Sequence, residues 1–142
     1  MTTQQLPPAV EKRFRSQKEI WRRLALRDER EKLATRPFPF ITISRQFGCA
    51  AFELATELAA RLTRKLNVPE FEIYDRKLLE LFVHNKEITS DMVNSLSRHT
   101  KNELEEWLSQ IFSGNPSELT VLKTLAQTLC SLAVRGHCII VG

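Results

Sequence analysis

The spacing of apolar residues divides the first half of the chain into helix, strand, helix and strand. Residues 9–34 follow two prolines, contain no Gly or Pro and carry a loose apolar stripe, which predicts one helix. Residues 40–44 form a short β-branched and aromatic run that predicts a strand, and residues 71–75 predict a second one. Between them, residues 50–66 have the clearest 3.6-residue period of the chain. The buried face predicted for this helix consists of Ala51, Leu54, Ala55, Leu58, Ala59, Leu62 and Leu66.

The next part of the chain predicts helices only. A short helix is indicated near residues 78–82, and the following helix, with Thr89 or Ser90 as its N-cap, extends to Gly114. The apolar stripe is interrupted at residues 99–100, so two helices with a bend are an open alternative. The side chains of this region that we expect in the core include Trp107, Leu108 and Ile111.

A final helix and a third strand are predicted at the end of the sequence. The helix starts at Asn115 and ends at Gly136, which fits a C-terminal stop. Residues 137–141 are almost continuously apolar, as expected for a strand buried on both faces of a parallel sheet. The positions of the helix predicted to face inward are Leu119, Leu122, Leu125, Ala126, Leu129 and Ala133.

The order of these elements predicts the fold class. Strand, helix, strand, helices and strand, in that order, indicate an α/β domain with a parallel sheet and helical crossovers. Ligands of open parallel sheets bind at the carboxyl ends of the strands. Those ends are residues 44–49, residues 75–76 and Gly142, so we expect these three segments to meet at one crevice.

Length and composition exclude several classes of protein. A chain of 142 residues suits one compact domain, and no apolar run approaches the roughly 18 residues that span a bilayer. The polar start has no secretory signal pattern. Three widely spaced cysteines do not form a disulfide framework, which favours a reducing, cytoplasmic location.

The positive charge is concentrated in the first 36 residues. Residues 1–36 contain ten Lys and Arg against five Asp and Glu, whereas residues 37–142 contain eleven against twelve. We therefore predict a basic helical arm over residues 1–36, followed by a domain over residues 37–142. Aromatic interleaving with the basic residues is lacking beyond Trp21, so a solvated helix face is favoured over nucleic-acid binding. The basic residues assigned to that face are Arg13, Arg15, Arg22, Arg23 and Arg27.

The turn after the first strand is the leading candidate for chemistry. A helix N-terminus leaves about four backbone N–H groups unpaired and carries a partial positive charge, which suits a phosphate, and Arg45 adds a full charge beside it. Cys49 is either a small turn residue or a thiol made reactive by this environment. Cys130, His137 and Cys138 lack the spacing of a zinc site, so no metal ligand is assigned to the protein.

Three segments, in order, resemble the cytidylate kinase-like family of P-loop proteins. Residues 41–55, ITISRQFGCAAFELA, are similar to its opening pattern I-T-I-S-R-[EQ]-[FY]-G-S-G-G-R-E-I-A. Residues 73–79, IYDRKLL, resemble its Y-D-[RK]-E-L-[IL] motif after the second strand. Residues 135–142, RGHCIIVG, resemble its third strand, K-G-x-C-V-I-V-G-R-G-A. The resemblance covers about residues 38–142.

The resemblance implies the N-terminal half of a nucleoside monophosphate kinase fold. It also implies transfer of the γ-phosphoryl group of ATP, with Mg²⁺, to CMP or a related nucleotide. Asp75 and Arg76 correspond to residues bordering the monophosphate site, and no catalytic residue is assigned. The residues that correspond to the phosphate loop are Arg45, Gln46, Phe47, Gly48, Cys49, Ala50, Ala51, Phe52 and Glu53.

The sequence departs from the family pattern inside this loop. The family has G-G-R-E where this chain has Ala50, Ala51, Phe52 and Glu53. Alanine in a left-handed conformation costs about 1–2 kcal/mol, so the loop is either strained or differently shaped. Phe52 supplies no charge, and Glu53 would repel an anion if it pointed inward. The chain also stops before the basic lid segment, so we expect a partial product that is inactive alone, with a shortened natural protein as the open alternative.

Three functions remain open at this stage. The first is an ATP-dependent nucleotide kinase of the cytidylate class. The second is a catalytically inactive relative that binds a nucleotide or another protein through the same scaffold. The third makes the basic arm the functional part, tethering the domain to nucleic acid or to a second subunit through self-association of the helix.

Overall fold

The chain alternates between helices and three short strands, in the order expected for an α/β fold. The structure is a computed structural model that describes residues 6–34, 38–112 and 114–142. The helices of these parts are α1 (Pro8–Ala25), α2 (Glu29–Ala34), α3 (Ala51–Leu66), α4 (Arg76–His84), α5 (Lys86–Asn94), α6 (Arg98–Ile111) and α7 (Pro116–Arg135). The strands are β1 (Phe40–Ile43), β2 (Glu72–Tyr74) and β3 (Cys138–Val141).

The three strands form one parallel sheet in the order β1-β3-β2. Ile43 pairs with Val141 on one side of β3, and Tyr74 pairs with Ile140 on the other. All three carboxyl ends therefore lie at the same edge of the sheet. The predicted α/β class and parallel sheet are confirmed.

Helices cover both faces of the central strand. Side chains alternate between the two faces of a strand, and all four residues of β3 are buried. Cys138 and Ile140 join a core formed with α1, α4, α5 and α7, whereas Ile139 and Val141 join a smaller core against α3. The near-continuous apolar pattern of this strand is explained by burial on both faces.

The N-terminal helix α1 packs directly on the domain. Trp21 is fully buried among core residues that include Tyr74, Phe82 and Ile88, and Phe14 packs against the same cluster. The helix contacts α4 and α5. The boundary predicted between residues 36 and 37 falls outside the described residues. Because the apolar face of α1 is used within the chain, the structure gives no support to self-association through it.

Two predicted helix boundaries are wrong. The helix predicted over residues 9–34 is interrupted after Ala25, because Asp28 accepts a hydrogen bond from the N–H of Glu31 at 2.8 Å at the start of α2. Neither Thr89 nor Ser90 caps α5.

The actual cap of α5 is Asn85, which accepts from the N–H of Ile88 at 3.0 Å. Ser97 starts a separate helix, α6, by accepting from the N–H of Thr100. The alternative of two helices in the region of residues 89–114 is therefore confirmed.

Several leucines predicted to face the core are exposed. The α3 helix buries its small residues, because Ala51, Ala55 and Ala59 approach β3 closely. On α7, the buried positions are Thr128, Ser131 and Leu132. The residues that were predicted as core and are at least 40% exposed are Leu54, Leu66, Trp107, Ile111 and Leu122.

Gly136 ends α7 as predicted and brings the chain close to the start of β1. Its φ is +68°, and a Cβ at this position would collide with the backbone carbonyl of Phe38. Glycine is therefore required here by both conformation and space. The next residue, His137, has a φ of +51° and stacks on the Phe38 ring with 3.9 Å between ring centroids.

Candidate functional site

The segments predicted to form the site lie at the carboxyl edge of the sheet. Ser44 follows β1, Asp75 follows β2 and Gly142 follows β3. The N–H of Gly142 donates to the carbonyl of Ile43 at 2.9 Å, which fixes the ends of β1 and β3 to each other. Because β3 lies between the other two strands, the segments after β1 and β2 are about 10 Å apart.

The turn between β1 and α3 is held by its own backbone. The N–H of Cys49 donates to the carbonyl of Gln46 at 3.2 Å, and the N–H of Ala51 donates to that of Cys49 at 2.9 Å. Gly48 has a φ of +85°, which favours glycine, although a Cβ there would meet nothing within 4 Å. The glycine of this turn therefore serves backbone conformation and not close packing.

The two alanines in the turn are not strained. Among the described residues, the only non-glycine residues with a positive φ are Asn67 and His137. Ala50 has a φ of −78° and a ψ of 56°, so the turn avoids the left-handed conformation at this position. Of the two alternatives for this loop, the structure has the differently shaped one.

The first turn of α3 presents free backbone amides. No side chain caps this helix, and its first backbone bond runs from the N–H of Leu54 to the carbonyl of Ala50. Within the described parts of the chain, the N–H groups of Phe52 and Glu53 have no acceptor. Unpaired amides and the helix dipole together favour an anion at this point.

The side chains of the turn are almost all exposed. Of residues 45–53, only Ala51 is buried, and the Phe47 ring is fully exposed. Arg45 is the one cation in this stretch and Glu53 the one anion. Phe52 is 39% exposed and occupies a position where the family pattern has arginine. The anion-binding capacity of the turn therefore depends on backbone groups and on Arg45.

Asp75 and Arg76 lie at the same edge but have structural partners. Asp75 is the N-cap of α4, and its Oδ1 accepts from the N–H of Leu78 at 3.0 Å. Arg76 Nε donates to Glu80 Oε1 at 2.8 Å on the exposed side of α4. One carboxylate oxygen of Asp75 thus caps the helix, and the second is left for another ligand.

A polar network at β2 was not predicted from the sequence. Tyr74 Oη lies 2.8 Å from both Glu72 Oε2 and Gln17 Oε1, and Arg135 Nη1 donates to Tyr74 Oη at 3.2 Å. Burial, followed by the nearby Glu72 charge, raises the pKa of Tyr74 well above its ordinary value. The sequence signal that could have indicated this network is the i, i+2 spacing of Glu72 and Tyr74, which places both side chains on one face of the strand.

The cysteines and histidines form no metal site in the described residues. These residues contain no group of three or more His, Cys, Asp or Glu side chains able to hold a metal ion. Cys49 is exposed and Cys138 is buried, and burial raises the pKa of the Cys138 thiol to about 11. Cys49 is therefore the accessible thiol next to the candidate site.

No helix of the described segments is long and apolar enough to cross a membrane. The comparisons with known proteins concern the family of the chain. The family model described as "Cytidylate kinase-like family" matches residues 40–142, which is more than half of the chain and includes all three strands. No curated protein and no solved structure matches the chain.

Proposed function

Because the chain belongs to the cytidylate kinase-like family, we propose that it binds the phosphates of a nucleotide at the turn between β1 and α3. One observation carries this proposal: the uncapped N-terminus of α3, with free N–H groups at Phe52 and Glu53, lies at the carboxyl edge of a parallel sheet. Arg45, from the same turn, adds the positive charge. Parallel α/β sheets bind phosphates in this position.

The reaction proposed for the site is transfer of the γ-phosphoryl group of ATP to CMP or a related nucleoside monophosphate. The bond from the γ-phosphorus to the bridging oxygen breaks, and a bond to a phosphate oxygen of the acceptor forms. In this scheme residues 45–53 hold the ATP phosphates, and Asp75 and Arg76 border the acceptor. Such a reaction depends on positioning and charge neutralisation.

The donor set at this edge fits Mg²⁺ that arrives with the nucleotide. Magnesium in kinases is held by substrate phosphates and only one or two carboxylates, and it keeps several waters. Glu53 and the free oxygen of Asp75 are the carboxylate donors that this edge offers. When bound, the ion would neutralise phosphate charge.

A catalytically inactive, nucleotide-binding or protein-interacting relative is the second candidate. It is favoured by Phe52, which supplies no charge, and by the single cation of the turn, because phosphoryl transfer requires several positive groups around the phosphates. Both the kinase and a nucleotide-binding inactive relative would bind nucleotide at this turn. An inactive relative that interacts only with protein would not.

Calorimetric titration with ATP·Mg²⁺ and with CMP, paired with a coupled phosphotransfer assay, separates these candidates. Binding with turnover supports the kinase, and binding without turnover supports the inactive relative. We expect Arg45→Ala to weaken ATP binding at least ~10-fold, because it removes the charge beside the free amides. Arg64→Ala, at the far and exposed end of α3, is the matched control and should bind as the wild type does. Absence of binding in the wild type would overturn the nucleotide function.

Cysteine modification gives an independent test of the position of the nucleotide. A thiol reagent should modify Cys49 readily, whereas the buried Cys138, with its raised pKa, should react slowly. ATP·Mg²⁺ should slow the modification of Cys49 and leave the reaction of Cys130 unchanged. Equal rates for Cys49 with and without the nucleotide would contradict binding at this turn.

The three free cysteines also support our proposal of a reducing, cytoplasmic location.

A further inference from the structure

The N-terminal helix α1 lies outside the part of the chain that matches the family, yet it is built into the domain. The family match begins at residue 40, whereas α1 spans Pro8–Ala25. Trp21 is fully buried and Gln17 is 7% exposed, so the helix contributes both apolar and polar groups to the interior. The contacts of this additional helix indicate which part of the proposed site it supports.

Helix α1 holds the whole of the short strand β2. Arg13 donates from its guanidinium to the backbone carbonyl of Ile73, and Gln17 donates to the carboxylate of Glu72. Tyr74 Oη lies 2.8 Å from Gln17 Oε1. The other side of β2 is paired with β3, so this strand of three residues is fixed from both sides. The position at which β2 ends is therefore set by α1 as well as by the sheet.

The same helix also contacts the element that follows β2. Helix α4 begins at Arg76, directly after its cap Asp75. Phe14 of α1 packs against Phe82 of α4, with 5.9 Å between the ring centroids. Phe82 is fully buried, so this contact is part of the core. Helix α1 thus bridges β2 and α4, the two elements that meet at Asp75 and Arg76.

The ATP side of the proposed site does not have this support. Residues 45–53 follow β1, which lies on the far side of β3 from β2. Within residues 6–34, 38–112 and 114–142, no hydrogen bond or ion pair joins α1 to residues 45–53. A change in α1 that acts through β2 should therefore alter the acceptor side and leave the ATP side as it is.

We propose that Arg13 is a positioning residue for the acceptor nucleotide and acts through the backbone of β2. This inference rests on the proposed function, in which Asp75 and Arg76 border the acceptor. The guanidinium of Arg13 holds the carbonyl of Ile73, two residues before Asp75, and so fixes the end of the strand that leads into both acceptor residues. Because phosphoryl transfer depends on how its two substrates are placed, a shift of this junction weakens the binding of CMP.

Calorimetric titrations with CMP and with ATP·Mg²⁺ test whether the effect is confined to the acceptor. Arg13→Met removes the donor and keeps an apolar stem. It should weaken CMP binding about 3- to 30-fold, the range for residues that act through others, and leave ATP·Mg²⁺ binding unchanged. Arg13→Lys keeps a cation that can donate to the carbonyl, so it should retain most of the affinity for CMP. Arg15→Met, on the same helix at a side chain that is 78% exposed, is the matched control and should bind CMP as the wild type does.

Amide hydrogen exchange gives a second readout that needs no nucleotide. The first backbone bond of α4 joins the N–H of Leu79 to the carbonyl of Asp75 at 3.0 Å. The corresponding bond of α3 joins the N–H of Leu54 to the carbonyl of Ala50 at 3.3 Å. Arg13→Met should speed the exchange of the Leu79 amide about 3- to 30-fold and leave that of Leu54 unchanged. A general loss of stability would speed both, which distinguishes it from positioning.

Two outcomes would overturn this inference alone. The first is equal affinity of the wild type and the Arg13→Met variant for CMP. The second is an equal loss of CMP and ATP·Mg²⁺ binding, or equal acceleration of the two amides, which would mean that Arg13 only stabilises the fold. Absence of CMP binding in the wild type would instead overturn the proposed function. The exchange rates of Leu79 and Leu54 would then decide whether Arg13 positions the junction of β2 and α4.

Discussion

The two outer strands of the sheet have opposite environments. Along β2, the Arg13 guanidinium of α1 donates to the backbone carbonyl of Ile73, Gln17 donates to the carboxylate of Glu72, and Tyr74 is 1% exposed. Along β1, the hydrogen bonds within the described residues come only from β3 and from Gly142 directly after it, and Phe40 is 47% exposed. One edge is therefore closed by a helix and its polar side chains, whereas the other is open.

This difference assigns a structural role to part of the basic helix. Exposed strand edges pair readily with other chains, so proteins cover them or place charges on them. Arg13 satisfies a strand carbonyl, and Lys18 pairs with Glu87 on α5. Glu19 pairs with Arg22 and Arg23, whose hydrogen bonds lower the pKa of its carboxyl. Much of the positive charge of this segment is thus used in attaching or balancing α1, at the edge opposite β1.

Removing the anchor of the closed edge should have the largest effect. Trp21→Ala deletes a fully buried indole and leaves a cavity between α1 and the sheet, so we expect the free energy of unfolding to fall by about 3–5 kcal/mol. Urea unfolding followed by far-UV circular dichroism measures this change. Trp107→Ala, at a side chain that is 51% exposed, is the matched control and should cost about 1 kcal/mol or less. Similar losses for the two variants would mean that α1 does not pack on the core in solution.

The polar contacts of the closed edge should contribute less. Gln17→Ala removes a donor to Glu72 and an acceptor near Tyr74, and the partners left behind are buried or partly buried. We expect a loss of about 1–3 kcal/mol in the free energy of unfolding, measured in urea. Gln110→Ala, at an exposed position on α6, should change it by about 0.5 kcal/mol at most. An equally small effect at Gln17 would contradict the network.

The alkaline titration of Tyr74 tests the same edge without mutation. This residue is the only tyrosine of the chain, so the absorbance change of phenolate formation reports it alone. In the folded protein its pKa is raised by burial, whereas in guanidinium it should titrate near the ordinary value of about 10.

The same shift predicts how stability depends on pH. Because the folded state holds the phenol proton more tightly than the unfolded state does, the contribution of Tyr74 is constant below about pH 10 and is lost as the pH rises above it, by at most about 1.4 kcal/mol per pH unit. Tyr74→Phe should remove this part of the alkaline slope. If Tyr74 of the folded protein instead titrates near pH 10, its phenol is solvated and this edge of the sheet is open.

The order of the elements and the α/β class could be predicted because they depend on local pattern. The apolar run at residues 138–141 indicates a strand buried on both faces, and Gly136 indicates the end of α7. The family assignment depended on three short motifs and not on the shape of the turn. Ala50 shows the limit of prediction from local pattern, because its backbone angles depend on how the turn closes between β1 and α3.

The packing partner of α1 could not be predicted from its sequence. The spacing of Phe14, Trp21 and Leu24 indicates an amphipathic helix, but periodicity does not identify the surface that such a face covers. The same limit applies to α3, where the fully buried positions are alanines because the helix lies close to β3, whereas Leu54 and Leu66 are exposed. Which face is buried depends on the distance between elements, and that distance is a tertiary property.

The smallest expected effect comes from the open edge. Thr42 on β1 and Tyr74 on β2 both pair in register with Ile140, so they form a matched pair on the two sides of β3. Thr42→Lys places a charge at an exposed position, and we expect the free energy of unfolding in urea to change by about 0.5 kcal/mol or less. Tyr74→Leu should cost several times more, because it removes the phenol from its buried polar partners. A loss above about 1 kcal/mol for Thr42→Lys would mean that β1 is covered in solution, and the contrast between the two edges would then fail.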